Sequence, residues 1–305
     1  MFSTEDQEAL ERLPDSGRND YPRHRDLRVG CHEPPDQAEN AVMETAAALA
    51  AFDEQMRRSP KAGPADRVEI DERVTRVVSG SGGWSGVVWS DLTETDADAV
   101  IAAQIRRFAG SGQGWEWKHY SYDRPADLPG RLQAAGFVPD PAETVLVAEV
   151  AGLALEPDPP AGVELVPVTG QGTADALVAV HDEVFGGSHD AIGRAVLQGL
   201  GMQPCPVAAV IAVAGETPIS AGRVEFPEGS DFAGIWGGGT LPAWRGRGVF
   251  RSLVAYRAAL AHERGYRYLH VDASSDSRPI LQRLGFAEIA ETTPYRYPAD
   301  GQVRG

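Results

Sequence analysis

Cysteine is nearly absent. The 305 residues contain only Cys31 and Cys205, with no Cys-x-x-Cys pair and no Cys/His cluster. That excludes a disulfide framework and a zinc site of ordinary ligand spacing. Long apolar runs are missing too: the longest aliphatic stretch, Val207 to Ala214, is far too short to cross a bilayer as a helix. The opening MFSTEDQEALERL is charged and carries no apolar core of the kind a secretion signal requires, so a cytoplasmic location is expected. Positive charge is scarce, with 28 Lys and Arg against 44 Asp and Glu and a formal net charge of −16. A surface of that sign repels phosphate backbones and anionic lipid, which predicts neither a nucleic-acid nor a membrane partner.

Apolar residues make up 42% of the chain, enough for an ordinary core in each half. Residues 1–66 read as an N-terminal tail and helix, with a short helix around Thr4 to Leu13 and an amphipathic one over Ala38 to Arg58, where Val42, Ala46, Leu49, Phe52 and Met56 recur at helical spacing. Ser59 to Asp66, rich in Pro and Gly, ends it. A first domain is expected over residues 67–151. Its strands are Val68 to Val78, Trp84 to Trp89, Trp115 to Tyr122 and Thr144 to Val150, and its helices Asp96 to Phe108 and Asp127 to Ala135. Gly152 to Gly162, with three prolines, is the expected linker. A second domain is expected over 162–305. Its strands are Val163 to Val168, Val207 to Val213, Pro218 to Phe226, Phe232 to Thr240, Tyr268 to Asp272 and Glu288 to Tyr297. Its helices are Thr173 to Phe185, Asp190 to Leu200, Gly248 to Arg264 and Arg278 to Leu284.

The two halves share an order: strand, long helix, strand, short helix ending in Gly-Phe, strand. The endings are RLQAAGF and ILQRLGF, and Ser90 and Gly136 lie 46 positions apart where Thr240 and Gly285 lie 45 apart. They differ in the loop after the first strand. The second half has LPAWRGRG; the first has the acidic, glycine-free DLTETD. A diphosphate needs free N–H groups, close main-chain approach and positive potential at a helix start. Arg245, Gly246, Arg247, Gly248, Val249, Phe250 and Arg251 supply these; Asp91 to Asp96 supply carboxylates instead.

Residues 162–297 resemble the GCN5-related N-acetyltransferase (GNAT) superfamily, in a tandem form with a degenerate N-terminal copy. Arg245 and Gly248 match the first and fourth positions of its Arg/Gln-x-x-Gly-x-Gly/Ala motif; Phe250 departs from the small sixth residue. SSDSRPILQRLGF is similar to the second motif, with Ser274 at its Asn position, Ser277 at its Ala position and Gly285-Phe286 at its end. The resemblance implies an α/β (α+β) fold of two GNAT-like domains, each a mixed, largely antiparallel sheet flanked by helices. It implies an enzyme that moves the acetyl group of acetyl-CoA, with no metal, to a primary amine of a small molecule. The pantetheine arm would pair with the edge from Trp236 to Leu241, Thr240 included, with Ser274 also against the cofactor. Glu225 and then Asp272 are the candidate bases. Many relatives carry a Tyr where this chain has Leu281, so Ser274, Ser277 or Tyr295 are candidate proton donors to the thiolate, or it leaves unassisted. Trp236, His181 and Asp182 are assigned to the acceptor side. Two alternatives stay open: decarboxylation or another acyl transfer on the same fold, and a non-catalytic acyl-CoA-binding module.

Overall fold

The computed structural model describes residues 44–299, apart from 62, 64, 65, 81, 82 and 111. The helix expected around Thr4 to Leu13, and the start of the one from Ala38, lie outside the described residues. The first described helix is α1 (Thr45–Phe52), prolonged by a π-helical turn over Asp53–Arg58. The single strand expected over Val68 to Val78 is in fact a hairpin of β1 (Asp66–Ile70) and β2 (Val74–Ser79). The Asp71 carboxylate accepts the N–H groups of Arg73 and Val74, and this Asx turn reverses the chain where alternation alone reads as continuous.

Next come β3 (Gly86–Ser90), α2 (Ala97–Phe108), β4 (Trp115–Tyr120), α3 (Leu128–Ala134), the two-residue β5 (Val138–Pro139) and β6 (Glu143–Glu149). The proline-rich segment leads to β7 (Val163–Pro167), α4 (Gln171–Phe185), α5 (Asp190–Leu200), β8 (Val207–Ala214), β9 (Thr217–Glu225) and β10 (Phe232–Thr240). A 3-10 turn, Pro242–Trp244, opens onto α6 (Val249–Glu263), β11 (Tyr268–Ala273), α7 (Arg278–Arg283) and β12 (Ala287–Tyr297).

The strands form one sheet in the order β1-β2-β3-β4-β12-β6-β11-β10-β9-β8-β7, with β5 beside β12. The last strand of each half therefore lies in the other half. β12 pairs with β4, and β6 pairs with β11 over Thr144 to Glu149. Among the described residues only β3–β4 and β10–β11 run parallel.

Alternation sorts the side chains onto two faces. Phe52 of α1 packs with Tyr120, Val145, Val147 and Phe232 on the face that α4 and α5 also cover. On the opposite face, α6 and α7 pack against Leu146, Ala148 and Ile235, and α2 and α3 against Trp115 and Trp117. Among the described residues no helix is long and apolar enough to cross a membrane.

Candidate active site

β10 and β11 start as a parallel pair but stay registered only from Phe232↔Tyr268 to Gly234↔His270. Beyond that point they diverge, while β11 remains paired to β6 as far as Ala273↔Thr144. The β11-facing edge of β10 from Ile235 onward thus has no partner strand among the described residues. β10 also bulges between Trp236 and Gly239. Gly237 lies at φ 60°, a conformation open to glycine at little strain.

Each glycine of the bulge faces a different neighbour. A Cβ on Gly237 would stand 2.7 Å from His181 Cε1, and one on Gly239 3.0 Å from Phe185 Cζ, so both face α4. One on Gly238 would stand 2.8 Å from Phe250 Cε2, on the α6 face. Three glycines in a row let side chains from both layers reach the β10 main chain.

The strand then runs into the anion-type loop expected from the sequence. Thr240 is buried, with its hydroxyl 2.7 Å from that of Ser220. The Leu241 N–H donates to Ile219. Arg245 Nε donates to the Thr240 carbonyl at 3.0 Å, folding the loop back on the strand. Gly246 (φ 74°) and Gly248 (φ 91°) turn the main chain into α6, whose first residue is Val249. Arg245 and Arg247 are both exposed, the guanidinium of Arg247 lying 4.9 Å from the centre of the Trp244 ring. Arg251, more than half exposed, is 3.7 Å from Asp158 of the proline-rich segment. The first turn of a 15-residue helix, solvent-reachable cations and two loop glycines without a Cβ are the ingredients of a diphosphate site.

No protein-family model matches the sequence, and no curated protein matches it. Solved structures do. A GCN5-related N-acetyltransferase from Kribbella flavida is 18% identical, with a TM-score of 0.59, over 84% of this chain and 94% of its own. A tandem GNAT protein from the clavulanic acid biosynthesis pathway is 14% identical with a TM-score of 0.53, over 87% and 97%. A conserved protein of unknown function from Staphylococcus epidermidis is 14% identical with a TM-score of 0.60, over 81% and 97%. The chain has the GNAT fold.

Within this GNAT fold the expected site residues divide. Trp236 is half-buried beside the bulge and meets the His270 ring edge-on at 5.3 Å. His181 is fully buried, and its Nε2 lies 2.8 Å from the Gly237 carbonyl. A carbonyl only accepts, so Nε2 carries the proton and Nδ1 is left as a buried acceptor without a partner among the described residues. Burial pushes His181 down to about 4, so the ring is neutral at ordinary pH. Asp182 instead turns to His189, accepting its main-chain N–H and approaching its Nδ1, each at 2.8 Å; these bonds hold its carboxyl below the usual range. Glu225 is half-exposed and takes a 2.8 Å bond from Arg223 Nε. Asp272 is ion-paired with Lys118.

Ser274 and Ser277 lie beyond the end of β11, their hydroxyls 3.3 Å apart, with Ser277 at the start of α7. Leu281 is 1% exposed in the core with Ala273 and Phe286, so no hydroxyl stands at that position. Tyr295 is buried on the opposite side, in the first half's core with Trp117 and Phe137, away from β10.

Three residues of interest carry no local signal in the sequence. Arg257, 1% exposed, lies in a slot left by Gly222 and Gly238. Its Nε and Nη1 bond to main-chain carbonyls of Leu253 and Arg223, its Nη2 has no partner among the described residues, and burial pushes its guanidinium down to about 9. The others, Lys118 and Glu143, come from the first half. No motif marks any of them. Only the buried position of a charged residue does, and burial is a tertiary property.

The first half repeats the geometry with a different filling. β3 and β4 are registered only at Gly86↔Glu116 and Val87↔Trp117, and β3 bulges at Val88. There Arg57 Nε donates to the Val88 carbonyl, Nη2 pairs with buried Asp123 at 2.7 Å, and the guanidinium lies 3.8 Å over the Tyr120 ring.

Proposed function

We propose that this chain is an acyl-CoA-dependent N-acyltransferase that moves the acetyl group of acetyl-CoA to a primary amine of a small molecule. The observation that carries the reading is the parting of β10 from β11 just before a glycine-turned helix start. It leaves an unpaired strand edge leading directly to a cationic N-terminus. An amide-bearing arm can pair with such an edge while its diphosphate meets the N–H groups at Gly248 and Val249. Transfer is then direct. The amine attacks the thioester carbon, main-chain donors at the bulge stabilise the oxyanion, and the thiolate leaves. With Leu281 in the core, no phenol at that position protonates the thiolate; a thiol's modest pKa makes its unassisted departure feasible.

The first half is a related copy that binds no CoA. Arg57 already takes the carbonyl that an arm would meet at its bulge, and Asp91 to Asp96 place carboxylates where the phosphates would lie. The test is calorimetric titration with acetyl-CoA, expecting one site per chain. Arg245→Glu with Arg247→Glu should weaken binding at least about a hundredfold at low salt, since like charge then meets the phosphates. An unchanged Kd in the folded double variant overturns the assignment.

A further inference from the structure

We propose that Glu143, carried by the exchanged strand of the first half, is the general base that deprotonates the acceptor amine in the second half's cleft. This rests on the transfer reading above. Gly234 and His270 are the last registered pair of β10 and β11, and the bulge at Gly237 and Gly238 lies as many residues beyond that pair on β10 as Ala273 and Ser274 do on β11. Thr144 pairs with Ala273, so Glu143 stands one strand further over at the same height. Val145 and Val147 face α1, and Glu143 shares their side of β6. That is the side of Trp236, His181 and His270. Glu143 is half-buried, hence reachable from solvent.

The surroundings are built for a cation. Lys118 crosses from β4, over β12 and β6, to reach Oδ2 of Asp272 on β11. The other carboxylate oxygen, Oδ1, is buried and has no partner among the described residues, in a side chain only 6% exposed. His270 Nδ1, in a residue 3% exposed, is a second polar atom without a partner among the described residues. The carboxylate oxygen can only accept, so it calls for a donor such as an alkylammonium, and His270 Nδ1 accepts one as well in its Nε2–H tautomer.

The groups acting on Glu143 are Lys118 and Glu116 from β4, Asp272 from β11, and Asp140 from the preceding loop, itself paired to Arg296 of β12 at 2.6 Å. Burial pushes the Glu143 carboxyl up to about 7; Asp272, Glu116 and Asp140 add to this and Lys118 opposes it. A base of that strength is half-ionised near neutral pH, where a general base is most effective.

The proton balance closes. The ammonium gives one proton to the Glu143 carboxylate, and the freed nitrogen attacks the thioester carbon. The C–S bond breaks with its electron pair going to sulfur. The nitrogen's second proton goes to the thiolate, giving amide and CoA thiol, and Glu143 returns its proton to solvent.

The experiment measures thiol release from acetyl-CoA by the full-length protein, with benzylamine, tyramine and 1,4-diaminobutane as probes, from about pH 5.5 to 9, a range that brackets a base of this strength. The wild type should show a kcat/KM limb rising through about pH 7, separate from the amine's own ionisation at higher pH. Glu143→Gln should remove that limb and lower kcat about a hundredfold or more, with acetyl-CoA affinity unchanged. Glu143→Asp should restore part of both. Carboxyl-carbon NMR of the free protein should show a resonance titrating near about 7 that Glu143→Gln abolishes. An intact limb and undiminished kcat in Glu143→Gln overturn the role of Glu143 and leave the transfer reading standing. Tight acetyl-CoA binding with no transfer to any probe amine overturns the transfer reading itself, and this inference with it.

Discussion

Residue by residue, the second half's face is set by polar groups held without charge. His181 and His270 are both pushed down to about 4 by burial. In the unfolded chain a histidine titrates near about 6.5, so between about pH 6.5 and 4 the unfolded state binds more protons than the folded one. Stability is therefore full above that window and falls as pH drops through it, by up to about 3 kcal/mol per histidine. His270 sits among Phe52, Phe232 and Trp236, so His270→Phe should be accommodated. Urea unfolding at about pH 7 and about pH 4.5 should show the variant losing about 2 kcal/mol less than the wild type across that interval. Equal losses would mean that His270 does not stay neutral.

Between elements, each half opens its sheet at a bulge and puts a side chain on the bulge carbonyl. In the second half this is neutral His181, which fixes the Gly237 peptide and leaves the β11-facing edge free. In the first it is charged Arg57, brought by the π-helical turn after α1 and held by Asp123 and Asp53. Removing one partner of a buried pair strands the other. Arg57→Leu should destabilise the protein by about 3–5 kcal/mol in chemical denaturation, and Arg57→Leu with Asp123→Leu by distinctly less. Additive losses would show that the pair is not coupled. Most element positions were legible from periodicity, and β10 and α5 occupy the residues expected. The Asp71 turn was not, because Val, Thr and Arg alternate across it in a strand-like way and the reversal depends on one side chain bonding two main-chain N–H groups.

Across the whole molecule, the halves are joined by more than the segment 152–162. β6 and β12 are exchanged, so each half's sheet is completed by a strand belonging to the other. Val145, Val147 and Ile289, on those strands, pack with Phe52, Tyr120 and Phe232 in one cluster. Proteolytic cleavage within residues 152–162 should leave two fragments that co-elute in gel filtration, and residues 67–151 produced alone should not give a cooperative unfolding transition. A stably folded, monomeric 67–151 fragment would show that the exchanged strand is dispensable. The same arrangement brings Lys118 and Glu143 of the first half beside Asp272 of the second, so the candidate site belongs to both.

Local chain chemistry suffices for most of the element order, the hairpin at Asp71 excepted, and for the proline-rich connection, the recurrence of that order in the second half and the loop from Arg245 to Gly248. Each of these is written in a short stretch: a run of side chains at period 2 or 3.6, a cluster of Pro, or two glycines at a strand-to-helix junction. Which strands become neighbours is settled only on folding. Pairing of β6 with β11, rather than with a strand of its own half, sets Val147 opposite His270, and no local preference encodes a choice between partners so distant along the chain. Folding also settles which charges are buried. Glu143, Lys118 and Arg257 read along the chain as ordinary surface residues; burial by segments far away in sequence raises Glu143 and lowers Arg257, while Asp272 holds Lys118 charged against that burial.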